Sequence, residues 1–510
     1  MMVCRRLAGI HDMQMGCLRI SRARGFVGVA ATAVASTALL LLSACAEGYD
    51  EDAAFTSSVR NATLATVNAD EIVVSSSTDG STFTFTWPVV HGAGGYEVKL
   101  YNVSDPSHPL LVKADTVDAC KATASREDDT NYMLSLRALS NAALNNTAPD
   151  TPTQKAFTTF TPTFAAIPAA QYSDLKAYFD ANPLPEGNHD MLCFDLDGGA
   201  DYKLSGDVDF GGHNVTIRCT SKGNHAKLTL EQGAKFITFG GLVIKYLDID
   251  CSQTNKTIVE LSETPDDSLK TQIMYDGKES GYYFIMEPIV FQSCNIKKVG
   301  ASIIADKAKY DVRSLTVNDC VVEVDRTASA TNVTSDAVIN LKTASFVSDL
   351  LLKNSTFYAV EHTNSAFFVY NGRPKEIDAN AELQKVTFTG CTFYQLSYST
   401  NFRGDTRTQG QKTNYFTVER CIIVDCGKKN FVNSLLRQLS TAPTVSYYKN
   451  TYWWNGEDVS EAQVCDGGDH SGTALTTDPA FRDPANSDFT PTGAQQIAEK
   501  TGDPRWYNEN

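Results

Sequence analysis

The stretch "VTFTGCTF", residues 386–393, alternates apolar and polar side chains and carries a cysteine after a glycine. Val386, Phe388 and Phe393 are its apolar positions, and threonines separate them. A period of two is typical of a β-strand with one buried face. Cys391 stands where the alternation breaks. Its thiol could be a nucleophile, a metal ligand, half of a disulfide or a small core residue.

Looser copies of this stretch recur through the second half of the chain, at spacings of 26, 35, 36, 30 and 29 residues. Each unit is rich in β-branched and aromatic residues and is too short to bury its own apolar face, so the units must stack. No helical pattern separates them. The repeats therefore predict a parallel β-helix. The copies centre on Cys294, Cys320, Ser355, Cys391, Cys421 and Asn450, with a further copy on Leu247.

Equivalent positions in stacked coils form a ladder with a rise of about 4.8 Å. A position that accepts Cys, Ser and Asn favours a small, buried, weakly polar side chain. We therefore prefer a structural ladder to a reactive thiol for Cys391. The sequence contains no CxxC pair and no zinc spacing. Some disulfide pairing stays open because exported proteins often pair their cysteines; Cys421 with Cys426 is the pair to watch.

The region before the repeats, residues 66–160, is also rich in alternating strands, such as "TFTFTWPVV" and "TNYMLSLRAL". Short strands between turn residues predict a small β-sandwich. Trp87 on an early strand and Tyr132 on a late one resemble the core Trp and Tyr corner of fibronectin type III modules. The predicted fold class is all-β, a small sandwich followed by a right-handed parallel β-helix. The remaining boundaries are 161–189 for a linker and capping helix starting near Ser173, 190–477 for the β-helix, and 478–510 for a C-terminal cap.

The N-terminus predicts export. Five arginines precede an apolar run over residues 26–42, and small residues follow it, as in a secretory signal. The end of that run, "LSAC", resembles the bacterial lipobox. This resemblance implies that residues 1–44 are removed and that Cys45 is acylated, which would anchor the protein to a membrane. Residues 45–65 read as an acidic tether, and "AEGYDED" resembles the surface-export signal of Bacteroidota lipoproteins.

Composition narrows the range of partners. The formal net charge is −16, and 42% of the residues are hydrophobic. A nucleic-acid-binding protein should show a basic stripe, and this sequence has none. No nucleic-acid partner is expected.

Residues 190–510 resemble the pectate-lyase-like right-handed β-helices. They resemble more narrowly the β-helix lipoproteins of Bacteroidota polysaccharide-utilisation loci. The best match is the tail "DPAFRDPANSDFTP…GDPRW", residues 478–506. The resemblance implies capture or processing of polysaccharide at the outer-membrane surface, beside other glycan-uptake proteins. It does not imply catalysis.

Sugar binding requires flat aromatic faces next to polar groups. The densest aromatic stretch is "SYYKNTYWWNG", residues 446–456, in which Tyr448 and Trp453 are predicted to point outward and Trp454 to lie near a turn. The alternative is that these rings only cap the end of the coil. Tyr394 and Arg403, beside a long loop after an earlier strand, complete the set of binding candidates.

A polysaccharide lyase would need a cation to neutralise the uronate and a base to remove the adjacent proton. The weak catalytic candidates are Arg403, Arg420, Asp425 and Lys428, and the weak metal candidates are Asp195, Asp197 and Asp201 in "DLDGGADY". Solvated edge residues and a structural turn are the alternative interpretations of these two groups. No cofactor is expected, except calcium if the protein is a lyase.

The sequence thus predicts a lipid-anchored surface protein whose β-helix binds, and in one alternative processes, a complex or acidic, pectin-like polysaccharide. A calcium-dependent lyase is the first alternative function. A non-catalytic adhesin or scaffold is the second.

Overall fold

The chain divides after Phe160 into two compact units, which are described separately. The computed structural model describes residues 59–77, 82–187, 191–270, 273–327, 336–373, 376–377, 384–404, 414–436, 444–456 and 468–507. None of the helices in these ranges is long and apolar enough to cross a membrane. Cys45, with the signal and tether around it, lies outside the described residues.

The first unit is a sandwich of two antiparallel sheets around one core. Trp87 is buried in that core and meets the ring of Tyr96 edge-on. The hydroxyl of Tyr132 accepts a hydrogen bond from the backbone N–H of Glu127, five residues upstream. Both aromatic residues therefore have structural partners. In spatial order the strands are Val73–Ser76, Thr82–Thr86 and Lys121–Ser125 in one sheet, and Leu110–Val117, Tyr96–Asn102, Asn131–Ala138 and Thr153–Thr158 in the other.

The second unit is a parallel β-helix built from three sheets, here called A, B and C, which the chain visits in turn. Sheet A comprises Ala165–Ile167, Leu192–Leu196, Val215–Cys219, Leu242–Lys245, Ile289–Gln292, Tyr310–Asn318, Phe346–Lys353, Gln384–Thr389, Asn414–Glu419 and Thr444–Tyr448, with Tyr283–Ile285 paired beside Tyr310–Asn318. Sheet B comprises Asp201–Leu204, Ala226–Leu230, Leu247–Asp250, Asn295–Val299, Val321–Val324, Thr356–Ala359, Thr392–Tyr394, Ile422–Val424 and Thr451–Trp453. Sheet C comprises Val208–Asp209, Phe236–Thr238, Val259–Leu261, Ile304–Asp306, Ile339–Leu341 and Phe368–Tyr370. The predicted all-β fold, a sandwich followed by a right-handed parallel β-helix, is confirmed.

Helices and hairpins complete the two units. The α-helices of the described residues are α1 (Leu175–Ala181), α2 (Phe431–Leu436) and α3 (Ala494–Glu499). The N-cap of α1 is Asp174, whose carboxylate accepts the N–H of Lys176, so the predicted start at Ser173 was one residue early. Short 3-10 helices cover Ala69–Glu71, Ala142–Leu144, Asp267–Leu269, Pro484–Asn486 and Pro504–Tyr507, and small hairpins pair Met274–Tyr275 with Lys278–Glu279 and Phe481–Asp483 with Asp488–Pro491.

The turn from sheet A to sheet B, here called the A–B corner, has the same construction in seven coils. One residue adopts a left-handed conformation, and the next residue turns its side chain into the core. A left-handed residue is costly unless the surrounding structure requires it. The left-handed residues are Tyr246, Ser293, Asp319, Asn354, Gly390, Arg420 and Lys449, and the inward residues that follow them are Leu247, Cys294, Cys320, Ser355, Cys391, Cys421 and Asn450.

Hydrogen bonds between coils explain why most of these inward residues are Cys, Ser or Asn. The N–H of Cys320 donates to Ser355 Oγ of the next coil at 3.0 Å, and that hydroxyl donates to the carbonyl of Lys353 at 2.7 Å. In the same way the N–H of Cys421 donates to Asn450 Oδ1 at 3.0 Å. The position thus needs a small side chain that accepts one hydrogen bond and donates another. Cys391 meets this need with its sulfur, which faces the carbonyl of Thr389 at 3.5 Å.

Burial raises the pKa of the Cys391 thiol well above its usual value, and the adjacent Cys421 thiol raises it further. A neutral, buried thiol is a poor nucleophile and a poor metal ligand. The cysteines of the described residues are all free, including Cys421 and Cys426.

Sheet C stops before sheets A and B do. Its last strand, Phe368–Tyr370, is followed in the next coil by a single bridge to Arg403, and helix α2 lies in the coil after that. The C-terminal coils therefore have a different third side from the coils before them.

The C-terminal strap, residues 478–507, packs on the outer face of sheet B. Phe489 contacts Tyr358 and Tyr394, with ring centroids 4.9 and 5.3 Å away. Farther along the strap, Asp503 Oδ2 accepts the hydroxyl of Thr356 at 2.8 Å. The last coils of sheet B are therefore buried on both faces.

We expect Cys391→Ser to preserve stability to within about 1 kcal/mol, because Ser355 already performs the same role one coil earlier. Cys391→Val has a similar volume but cannot form either hydrogen bond, so it should cost about 1–3 kcal/mol. Urea denaturation of both variants measures the difference. A valine variant as stable as the serine variant would contradict the hydrogen-bonding role.

Burial raises the pKa of the Asp503 carboxyl to about 6, against the lowering effect of Arg505. Because this pKa is raised by folding, the stabilisation is present at low pH and is lost as the pH rises through about 6. Asp503→Asn should remove this dependence, changing the pH profile by roughly 3 kcal/mol. Urea denaturation between about pH 4 and about pH 7 tests it, and parallel profiles for the two proteins would reject it.

Candidate functional site

Four side chains gather where sheet B strands end and the chain turns toward the third side of the coil. We call this cluster, His362, Tyr398, Asp425 and Trp454, the B–C edge site. Each residue follows the sheet B strand of a successive coil, so stacking of the coils brings them together although they span 93 positions of sequence.

The aromatic part of the B–C edge site is a set of three rings in contact. The Tyr398 ring lies 4.0 Å from the ring of His362 and 4.6 Å from that of Trp454, and the planes of Tyr398 and Trp454 are only 8° apart. His362 is exposed, whereas Tyr398 and Trp454 are half-buried. Ring stacking fixes the aromatic side chains while leaving part of their surface open to solvent.

Asp425 is the acidic member of the site. It has a left-handed backbone and is 9% exposed. One carboxylate oxygen accepts the backbone N–H of Asn455, and the other lies 3.8 Å from His362 Nε2. Burial raises the pKa of Asp425, while Asn455 and His362 act in the opposite direction.

Polar side chains surround the rings. Ser399 Oγ lies 2.6 Å from Asn364 Oδ1, and both residues are exposed beside the turns that carry Tyr398 and His362. Lys428 and Lys429 are exposed on the turn that begins at Asp425. Aromatic surface with hydroxyl, amide and cationic groups nearby is suited to a sugar ring, including one that carries an acid group.

The predicted binding residues do not all belong to this site. Tyr394 lies against the strap residues Phe481 and Phe489, and burial raises its pKa. Trp453 is half-buried in the same outward row of sheet B as Tyr394. Of the predicted aromatic residues, Trp454 is the one in the ring cluster.

Tyr448 lies on the outer face of sheet A and is 39% exposed. The Arg420 guanidinium carbon is 5.5 Å from the centre of its ring, and Lys449 Nζ is 5.3 Å away. Arg420 Nη1 also donates to the carbonyl of Glu499 at 2.7 Å. Arg420 therefore ties the A–B corner to the C-terminal segment, and Tyr448 belongs to a surface other than the B–C edge site.

Arg403 is 1% exposed, which corrects its placement in an open loop. Its Nη2 donates to the carbonyl of Leu436 at the end of α2 at 2.8 Å, and its guanidinium lies over the ring of Phe416. A bound ligand could not reach this side chain without local unfolding. The missing third strand of the coil leaves space for the arginine inside the molecule.

The three predicted metal candidates point to different partners. Asp195 Oδ1 accepts Arg218 Nε at 2.7 Å, and Asp197 Oδ2 accepts the N–H of Ala169 at 2.9 Å. Asp201 is exposed, 3.6 Å from Lys227. In the part of the chain that the structure describes, no three His, Cys, Asp or Glu side chains converge as a metal site would require.

A second buried carboxylate lies in sheet A. Asp311 is fully buried, accepts the hydroxyl of Ser348 at 2.7 Å and faces Arg313 Nε at 3.2 Å. Burial raises its pKa. Arg313 in turn lies over Phe284, from the segment that crosses between sheets C and A. This carboxylate is inaccessible to solvent and has a structural role.

Sequence reasoning did not identify His362 or Asn455 as partners of Asp425. The available signal was the register of the coils: residues one to five positions beyond the ends of sheet B strands share one edge. Unequal loop lengths conceal that alignment until the strands are known.

The sequence matches three family models, each described as a domain of unknown function: DUF4992 over residues 23–198, DUF4957 over 200–360 and DUF5123 over 386–506. No curated protein matches it. Among solved structures, the chain is similar to the pectin methylesterase from Aspergillus niger in its deglycosylated form, at 8% identity and a TM-score of 0.31. That alignment covers 64% of this chain and 94% of the other. A likeness at this level carries no argument about activity.

Proposed function

We propose that the protein is a lipid-anchored surface protein that binds a complex or acidic polysaccharide at its B–C edge site. The observation that supports this most is the contact of His362, Tyr398 and Trp454, which leaves aromatic surface open at the edge of a rigid coil. The stacked sheets hold these rings in place before a ligand arrives, which reduces the entropy cost of binding.

An acidic glycan suits the charges around the rings. Lys428 and Lys429 are exposed next to the buried carboxylate of Asp425, so the cationic groups face solvent and the anionic group does not. A uronate could pair with the lysines while its ring lies on the aromatic residues. The polysaccharide-binding proposal therefore covers both affinity and a preference for acidic ligands.

The double variant Tyr398→Ala/Trp454→Ala should lose at least about tenfold in affinity for a retained glycan, because base-to-ring or sugar-to-ring stacking contributes on the order of 1–3 kcal/mol. Retention on immobilised pectins and neutral glycans measures it. The matched control is Tyr448→Ala, which removes an exposed ring from sheet A. No retention of the wild type on any glycan would reject the proposal, as would a loss of binding confined to Tyr448→Ala.

The same panel examines catalysis. A lyase would generate an unsaturated product that absorbs in the ultraviolet and would depend on added calcium. Binding without such a product is the expected result, since the described residues do not bring an accessible acid cluster opposite an Arg or Lys.

Lipid anchoring at Cys45 is the second part of the proposal, supported by the "LSAC" motif. Cys45→Ser should move the protein from the membrane fraction to the soluble fraction and abolish labelling with a fatty-acid probe. Cys120→Ser is the control, because Cys120 lies in the sandwich. Continued labelling of Cys45→Ser would disprove acylation at this residue.

A further inference from the structure

We propose that Asp425 is a positioning residue that holds the aromatic rings of the B–C edge site in place at low pH and releases them as the pH rises. The proposal rests on the proposed function for its biological meaning. Its structural part can be measured on the protein without ligand.

The geometry is a closed circuit of contacts. Asp425 accepts the N–H of Asn455, the residue directly after Trp454. Trp454 stacks on Tyr398, and Tyr398 contacts His362, which returns to Asp425 at 3.8 Å. One carboxyl group therefore fixes both ends of the three-ring cluster, although it is not itself one of the aromatic contact surfaces.

The surroundings of Asp425 supply few other charges. From the neighbouring coils it faces His362, Tyr394 and the N–H of Asn455, and Glu361 precedes His362 on the same turn. Its own turn contributes the buried Cys426 and the exposed Lys428 and Lys429. His362 is the group near the carboxyl whose charge changes around neutral pH.

The direction of the effect follows from burial. A protonated Asp425 is neutral and still accepts the N–H of Asn455 through its carbonyl oxygen. Burial raises the pKa of Asp425, so folding favours this neutral form, and ionisation at higher pH weakens the turn. A cationic His362 offsets the buried charge. Once the imidazole loses its proton, the carboxylate is buried without a counter-charge on the ring cluster, and the turn that carries Trp454 loosens.

Three variants separate the contributions. Asp425→Asn keeps the shape and the acceptor for Asn455 but cannot ionise, so the rings should stay ordered at all pH values. His362→Gln removes the compensating cation, so the rings should loosen at a lower pH than in the wild type. Asp248→Asn is the matched control, because Asp248 also pairs with a histidine, His225 at 3.0 Å, on an earlier strand of sheet B.

The primary measurement is tryptophan fluorescence of the full mature chain without ligand, between about pH 5 and about pH 8, because this range spans the ordinary titration of histidine. Trp454→Phe identifies the signal among the four tryptophans of the sequence. We expect a transition in the wild type and in Asp248→Asn, no transition in Asp425→Asn, and none in Trp454→Phe. Circular dichroism verifies that each variant is folded, and His362→Gln provides the decisive comparison if Asp425→Asn does not fold.

An Asp425→Asn protein with the wild-type transition would overturn the proposal, and so would a His362→Gln midpoint equal to that of the wild type. Binding of partially esterified pectin is measured in parallel. Its affinity should fall at least about tenfold over the same pH range in the wild type and less than about twofold in Asp425→Asn. If pectin and the other glycans do not bind but the fluorescence results hold, the glycan function fails while the positioning role of Asp425 stands.

Discussion

The β-helix depends on a hydrogen bond that links one A–B corner to the next. A left-handed residue turns the chain, and the following residue sends a small polar side chain into the core, where it accepts a backbone N–H from the preceding coil. Without that acceptor a buried N–H would have no partner, which is costly in a low-dielectric interior. This requirement holds seven coils at one angular position, and the sheets on either side of the corner inherit their register from it.

This constraint explains which features of the fold could be predicted. The Cys, Ser and Asn of the corner stand in the sequence where apolar residues would otherwise alternate, so Cys391 and its equivalents revealed the coils and the inward-facing positions. Arg403 could not be placed in the same way. Its burial depends on the loss of a sheet C strand and on the position of α2, and neither event leaves a periodic pattern. A charged residue beside a loop is usually solvated, and only the carbonyl of Leu436 and the ring of Phe416 make the interior acceptable here.

The candidate site shows the same division. Aromatic density near residue 450 was visible in the sequence, and Asp425 was a candidate, but nothing local connected either of them to His362. The structure distributes the predicted residues over an edge, two sheet faces and the interior. Tyr448, Tyr394 and Arg420 contact the C-terminal residues or their neighbours, while Trp454 and Asp425 meet at the edge with Tyr398. Solenoids create sites of this kind because residues far apart in sequence become adjacent whenever they occupy the same angle of successive coils.

The C-terminal strap has a consequence for how the molecule is made. Thr356 bonds to Asp503 across 147 residues, and Asp319 pairs with Arg505 across 186. Each coil contacts mainly its neighbours, so early coils can form from nearby sequence as the chain emerges, whereas these contacts close very long loops. The outward threonines of the last sheet B strands remain uncovered until the final residues arrive. Assembly of the coils and sealing of their outer face are thus separate events in time, and the second is the slower one.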